Sequence, residues 1–485
     1  MYDDLLAPRR QALHAAVGEA LETVYAEQLD EVYDRLAYHF SRADEPTKAF
    51  DYLVRLAGRA ARSYASEEAV RILQDARAWI DRLPADQRDR CQLDLVSRLA
   101  HCLLFLGRSA EARELLGKEE ARIERLRDPS LSGPFYFWVS YTDANLGHAE
   151  RAAQAALRAL EEAARCGDQT TMGLANCSLS RNSYWLGRSD GIAQGRQAVA
   201  LLERTEERWW LGQSYLALGL NLYHIGDFMP ALEALEHTRE IGEAIGDTRL
   251  QSQAVGNMSR VHSLRGEHET GLALAQRGLE LAADPVSRAL GMVHMALAEW
   301  ENGDSKQAIP VLEKALAQTQ FLRGRGGYVS RQVDALLTSG LSEMHLHAGD
   351  LSQATQLAQK AQSTAAEIKW PVAMGYAERA LGAIARTQGD FDQARSYFSR
   401  SVKIFAGADT RFQAARARLL LAEALHAGGE QTSASFQLKE ARDAFRLLRV
   451  PLYVERAERL AKDLGLALDD FVPPAPPANS LIPRD

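Results

Sequence analysis

Glycine recurs through this chain at a nearly fixed interval. Gly107, Gly147, Gly187, Gly226, Gly266, Gly303, Gly349, Gly389 and Gly429 are separated by 40, 40, 39, 40, 37, 46, 40 and 40 residues. A period of that length, in a sequence rich in helix-favouring Ala, Leu, Glu, Arg and Gln, marks a repeated helical unit rather than three independent domains. A glycine at each point can take the left-handed conformation that ends one helix. The acidic residue that often follows, as in Asp227, Asp304, Asp350 and Asp390, suits the start of the next.

Other offsets repeat with the glycines. Seven residues earlier stand Ala100, Ser140, Ser180, Gly219, Ser259, Ala296, Ser342, Gly382 and Ala422, all small. One residue before each of these is a large apolar side chain, from Leu99 to Leu421. Five residues after the glycines come Ala112, Ala152, Ile192, Ala231, Gly271, Ala308, Ala354, Ala394 and Ala434, small except for Ile192. Small side chains on facing helices let two backbones approach, and the large neighbour fills the space beside them. Pro129, Pro285, Pro371 and Pro451 share one phase and should open the first helix of their units. The chain is therefore expected to be all-α, a right-handed superhelical solenoid of helical hairpins of about 40 residues.

The small–large–turn pattern resembles that of tetratricopeptide repeats, whose pattern places Leu-Gly before the turn and Ala after it. The resemblance runs from Cys91 to about Val450. Pro310 falls inside a second helix and should kink it or delay its start. Phe321–Gly327 reads as an enlarged, flexible loop. Upstream, Leu36, Ala37 and Ala49 repeat the pattern with Asp44 at the turn. The expected organisation is an N-terminal helical segment over 1–25, irregular repeats over 26–90, nine repeats over 91–450, a capping helix over 451–468 and a disordered Pro-rich tail over 469–485.

A second resemblance lies in the first eighty residues. Leu5, Leu6, Arg9, Arg10, Leu13 and His14, followed by Leu36-Ala37, Tyr38, His39, Phe40 and Ala43, look like the junction where a bacterial AAA/STAND-type ATPase module leads into tetratricopeptide repeats. Class III adenylate or guanylate cyclase or helix-turn-helix domains are often linked to that family. The resemblance implies the repeat arm of such a system, with an ATPase or cyclase module as a partner. The sequence has no Gly-x-x-x-x-Gly-Lys-Ser/Thr phosphate cradle of its own.

Motifs for chemistry are missing. There is no His-Glu-x-x-His, Gly-x-Ser-x-Gly or Gly-x-Gly-x-x-Gly after a strand, so no catalytic residue, metal ligand or cofactor is expected. His345 and His347 lie two apart on a helix, hence on different faces. A net charge of −8 argues against direct nucleic-acid binding. No apolar run reaches the roughly 18 residues of a membrane helix. Four cysteines without a Cys-x-x-Cys pair suit reduced thiols in the cytoplasm.

Function in a solenoid resides on the concave face lined by first helices. By extension from the tetratricopeptide family, positions 13, 10, 6, 3 and 2 before each turn glycine should face it. The ten-before set (Ser97, Phe137, Cys177, Leu216, Gly256, Val293, Ser339, Arg379 and Leu419) holds no lysine, which disfavours the family's Lys-based carboxylate clamp. Phe137, Tyr141, Asn145, Arg181, Tyr184, Trp185, Tyr223, His224, Arg260 and Trp300 do fall on these phases. Aromatic rings mixed with Arg are what protein-binding surfaces use. The same spacing also suits rings packed between neighbouring first helices, and the sequence leaves both readings open. Trp209 and Trp210 read as inter-repeat packing. The expectation is a non-catalytic scaffold that binds a protein or peptide in its groove. The alternatives are a small-ligand (inducer) sensor, as in STAND-type transcription activators, and a truncated ATPase or cyclase regulator acting with a missing module.

Overall fold

A left-handed turn at every one of the nine glycines organises the chain, with φ between 66° and 91°. Asp44 makes the same turn upstream with φ 61°. These angles come from a computed structural model, which describes residues 6–63, 65–324 and 331–468. Among the described residues there is no strand.

Four helices precede the glycine turns: Ala7–Val24 (α1), Tyr33–Ala43 (α2), Pro46–Arg62 (α3) and Ser66–Arg77 (α4). Nine hairpins follow. The first pairs Ala85–Phe105 (α5) with Ser109–Gly117 (α6), and its second arm resumes in a short separate helix, Glu120–Leu126 (α7). Next come Pro129–Asn145 with Ala149–Cys166 (α8, α9) and Gln169–Leu186 with Gly191–Leu202 (α10, α11). Arg208–Ile225 with Phe228–Ala244 (α12, α13) and Thr248–Arg265 with His268–Leu281 (α14, α15) continue the stack. Pro285–Glu301 with Ser305–Gly324 (α16, α17) and Arg331–His347 with Leu351–Ile368 (α18, α19) lead to the last two hairpins. Those are Pro371–Thr387 with Phe391–Gly407 (α20, α21) and Arg411–Ala427 with Gln431–Leu447 (α22, α23); Pro451–Asp463 (α24) follows.

The periodic residues perform the expected work. Pro129, Pro285, Pro371 and Pro451 each open a first helix. Asp304, Asp350 and Asp390 cap second helices by accepting from the amides of Gln307, Gln353 and Gln393. The small residues before the turn are buried, and the serines among them do more than fit. Ser180, Ser259 and Ser342 donate their hydroxyls to the carbonyls of Gly191, Gly271 and Ala354, at 2.7, 2.7 and 2.8 Å. Each bond satisfies a buried hydroxyl and ties the first helix to the second at closest approach. At Gly382 the space is filled from the other side by Phe398, whose ring would lie 2.7 Å from any added Cβ.

Two local expectations need correcting. Pro310 does not delay its helix, because α17 begins at Ser305 and the Asp304 cap holds its first turn ahead of the proline. Phe321–Gly324 are helical rather than loop, since α17 continues through them and Leu322 reaches the interior. Arg325, Gly326, Gly327 and the Pro-rich tail over 469–485 lie outside the described residues.

Gly382→Ala should therefore destabilise the protein by about 1–3 kcal/mol through overpacking against Phe398. Thermal melting followed by circular dichroism checks it, and an unchanged melting temperature would refute this account of the small positions.

Candidate ligand chamber

The solenoid curls until hairpins five units apart touch. Trp370, ahead of α20, packs on Trp185 of α10 with ring centroids 5.9 Å apart. Phe412 of α22 meets Phe228 of α13 edge-on at 5.3 Å. Leu448 and Leu452 lie over the turns at Gly226 and Gly266, where an added Cβ would be 3.1 and 2.9 Å from them. Phe412, Phe445, Val450 and Tyr453 share one apolar cluster with Leu216, Phe228 and Val261. One polar knot joins the same seam. Arg416 donates to Glu301 at 3.1 Å, and the Tyr453 hydroxyl donates to the same carboxylate at 3.2 Å.

Closure turns a groove into a chamber of about 580 Å³, walled by first helices from α5 to α22. Eight of the residues expected on the concave face line it: Tyr141, Asn145, Arg181, Tyr184, Trp185, Tyr223, Arg260 and Trp300. Arg181 lies over the Tyr141 ring, 4.3 Å from its centroid, and donates to Asn145 Oδ1 at 3.2 Å. Arg260 lies over Tyr223 at 4.7 Å and donates to its hydroxyl at 2.9 Å. Trp300 stands edge-on to His347, 5.4 Å between centroids.

Two expected residues are elsewhere. Phe137 is 1% exposed, packed edge-on to Trp210 at 5.0 Å, because the bulk of Trp210 fills the gap between first helices there. His224 is buried in the seam, between the Tyr184 ring and the Ala408 backbone. Trp209 differs in the opposite sense. It packs on Trp210 and Phe105, as an inter-repeat residue should, but it also lines the chamber and donates to Asp247 at 2.9 Å.

The remaining lining comes from later repeats. Tyr376 and Arg416 stand thirteen residues before their turn glycines, Arg379 ten before, and Glu343 six before. The same phases thus carried the signal beyond the sixth repeat. Arg379 makes a two-pronged pair with Glu343 at 2.8 and 3.1 Å and donates to Gln413 at 2.8 Å. Six arginines (108, 181, 249, 260, 379 and 416) face three carboxylates (Asp284, Glu301 and Glu343) around the chamber, in a protein whose net charge is −8. Gln213, Gln253, Asn257 and Gln413 add amide groups that can both donate and accept.

Burial lowers the pKa of three histidines in and around this region. Burial first, and the Arg260 charge second, push His294 down to about 3. Burial likewise holds His224 and, with help from Arg98, His101 at about 4.

Against known proteins, residues 374–446 match the family model of the tetratricopeptide repeat. A Rap protein complexed with competence and sporulation factor has the same fold, with a TM-score of 0.51 at 13% identity over 86% of this chain and 98% of that one. The chain is a tetratricopeptide-type solenoid. Two weaker likenesses accompany it. One is the Rap conjugation gene regulator of the plasmid pLS20 in complex with the Phr* peptide, at 14% identity, 77% and 98% coverage and TM-score 0.47. The other is a STAND protein with a tetratricopeptide repeat sensor from Pyrococcus horikoshii, at 18% identity, 65% and 48% coverage and TM-score 0.43. No curated protein matches the sequence. Tetratricopeptide folds are generally interaction scaffolds, and no helix among the described residues is long and apolar enough to cross a membrane.

Two outcomes follow for this solenoid. Phe412→Ala removes a seam ring that is 2% exposed. It should cost about 3–5 kcal/mol, and the radius of gyration in small-angle scattering should rise; an unchanged radius would refute a seam that holds the ring closed. Below pH 6.5 the unfolded chain protonates His101, His224 and His294 while the native chain does not, so stability should fall as pH drops toward 4. The expected slope is about 1 kcal/mol per pH unit for each histidine. Urea unfolding of His294→Gln should show a shallower slope than the parent chain.

Proposed function

We propose that this solenoid is a non-catalytic scaffold that takes an extended peptide segment into its chamber, as the sensing arm of a bacterial signalling or transcription-regulating system. The observation that carries the reading is the convergence of first-helix side chains from α5 to α22 on one interior space of about 580 Å³. That volume lies in the range of pockets that hold a small molecule or a short stretch of chain, and it is far too small for a folded partner. Side-chain amides at Gln213, Gln253, Asn257 and Gln413 suit the alternating donors and acceptors of an extended backbone. Rings at Tyr141, Trp209 and Trp300 offer rigid contact area at low entropic cost. The Rap protein that shares this fold was solved in complex with competence and sporulation factor, which supports a binding role for a solenoid of this kind.

The N-terminal likeness to an ATPase junction supports an ATPase or cyclase module as the element that the repeat arm reports to. The four free thiols suit a cytoplasmic setting. A small-molecule inducer is the second reading, and the small volume of the chamber, about 580 Å³, is the observation that favours it.

Selection from a displayed library of random short peptides, with parallel thermal-shift titrations of sugars and nucleotides, separates the two. For a selected peptide, Arg181→Gln combined with Trp300→Ala should weaken binding by about tenfold to a hundredfold, with the helical signal unchanged. Trp185 is a poorer choice, because its packing on Trp370 holds the seam. Undiminished binding by the double variant would refute the chamber as the site.

A further inference from the structure

The charges of the chamber are not all matched alike. Arg379 has Glu343, Arg416 has Glu301, Arg249 has Asp284 at 3.9 Å, and Arg108 has Glu111, while Arg181 donates to Asn145 Oδ1 over the Tyr141 ring. Arg260 is different. It lies over the Tyr223 ring and donates to that hydroxyl, and Tyr184 and Tyr376 line the same stretch of the chamber within range of its charge. Among the described residues no carboxylate pairs with it. His294 beside it is 8% exposed and neutral, and its Nδ1 has no hydrogen-bond partner. A guanidinium drawn into a partly dry interior and met only by neutral phenols and a neutral imidazole is costly, unless an anion joins it.

We propose that Arg260, ringed by Tyr184, Tyr223 and Tyr376, is the anion subsite of the chamber and takes a carboxylate of the bound peptide. This rests on the peptide reading above and deepens it by naming the chemistry of the ligand. A carboxylate fits better than a phosphate because one guanidinium met only by neutral groups balances a monoanion. A phosphate dianion would need a second cation, and Arg379 and Arg416 are already held by Glu343 and Glu301. The planar fork of Arg260 can offer two parallel N–H donors to the two oxygens of a carboxylate. The tyrosine rings that wall the site lower the local dielectric around Arg260, which strengthens the pairing. The sequence disfavoured a clamp built on lysine; the structure points to one built on a single arginine in an aromatic cage. The ligand expected is a short peptide with an Asp or Glu side chain, or a free C-terminus, placed to reach the middle of the chamber.

The test uses the full chain and an array of short peptides blocked at both ends. Each Asp or Glu member is paired with its Asn or Gln counterpart, and a further set leaves the C-terminal carboxylate free. Inorganic phosphate is titrated separately by thermal shift. The parent chain should prefer carboxylate-bearing members over their amide counterparts by about tenfold to a hundredfold. Arg260→Gln should erase that preference and still bind the amide members. If Arg260→Gln loses its helical signal, Arg260→Lys replaces it, and its preference should be reduced because the charge survives without the fork. A preference that persists undiminished in these variants overturns the subsite. Equal binding of acid and amide members by the parent chain also overturns it, and leaves the peptide reading intact. A response to phosphate with none to carboxylate peptides overturns the choice of carboxylate. Failure of every peptide to bind overturns the peptide reading itself.

Discussion

The architecture depends on how closely the two helices of each hairpin approach. A left-handed glycine reverses the chain, and a small residue seven positions earlier lets the returning helix pass within hydrogen-bonding range of the first. Ser180, Ser259 and Ser342 show what this contact provides beyond room, since their hydroxyls bond directly to carbonyls of the facing helix. At Gly382 the same space is taken by the face of Phe398. Neither solution survives a larger side chain. The regular period of the sequence is thus the trace of a steric limit imposed nine times.

A second level of order arises because the curled stack meets itself. Rings from α13 and α22, and leucines just before and in the first turn of α24, bury surface that an open solenoid would leave in water. The interior that results differs in character from the outside. The exterior of the tetratricopeptide solenoid carries the acidic excess, while the inside gathers arginines over tyrosine rings and side-chain amides. Matched pairs such as Arg379 with Glu343 hold neighbouring first helices in place, whereas Arg260 is met by tyrosine hydroxyls and the His294 ring.

The sequence made the hairpins legible because each is written locally and repeatedly. Glycine, a small residue at minus seven and proline at the start of a first helix can all be checked against the next copy. Pointing a side chain inward was legible to a lesser degree. Tyr141 and Phe137 occupy accepted concave phases one turn apart, yet only Tyr141 lines the chamber, while Phe137 is buried against Trp210 of α12, two hairpins on. Tyr376 and Arg416 were within reach of the same reasoning extended to later repeats. The seam was beyond it. Trp370 reads as a residue before a proline, and nothing in its neighbourhood announces a partner in Trp185, 185 positions earlier. The break between α6 and α7 is equally silent in the pattern.

Open solenoids tolerate gain or loss of a unit, since each repeat answers only to its neighbours. The seam withdraws that freedom. Phe228 finds Phe412, and Glu301 finds Arg416 and Tyr453, only if a fixed number of hairpins lies between them. Deleting or duplicating an intervening unit would bring the wrong turn beneath Leu448 and Leu452 and leave both rims unmatched. Repeat number in the central region of this protein is therefore under geometric constraint, as the number of staves is in a barrel, whereas units outside the closed ring can vary.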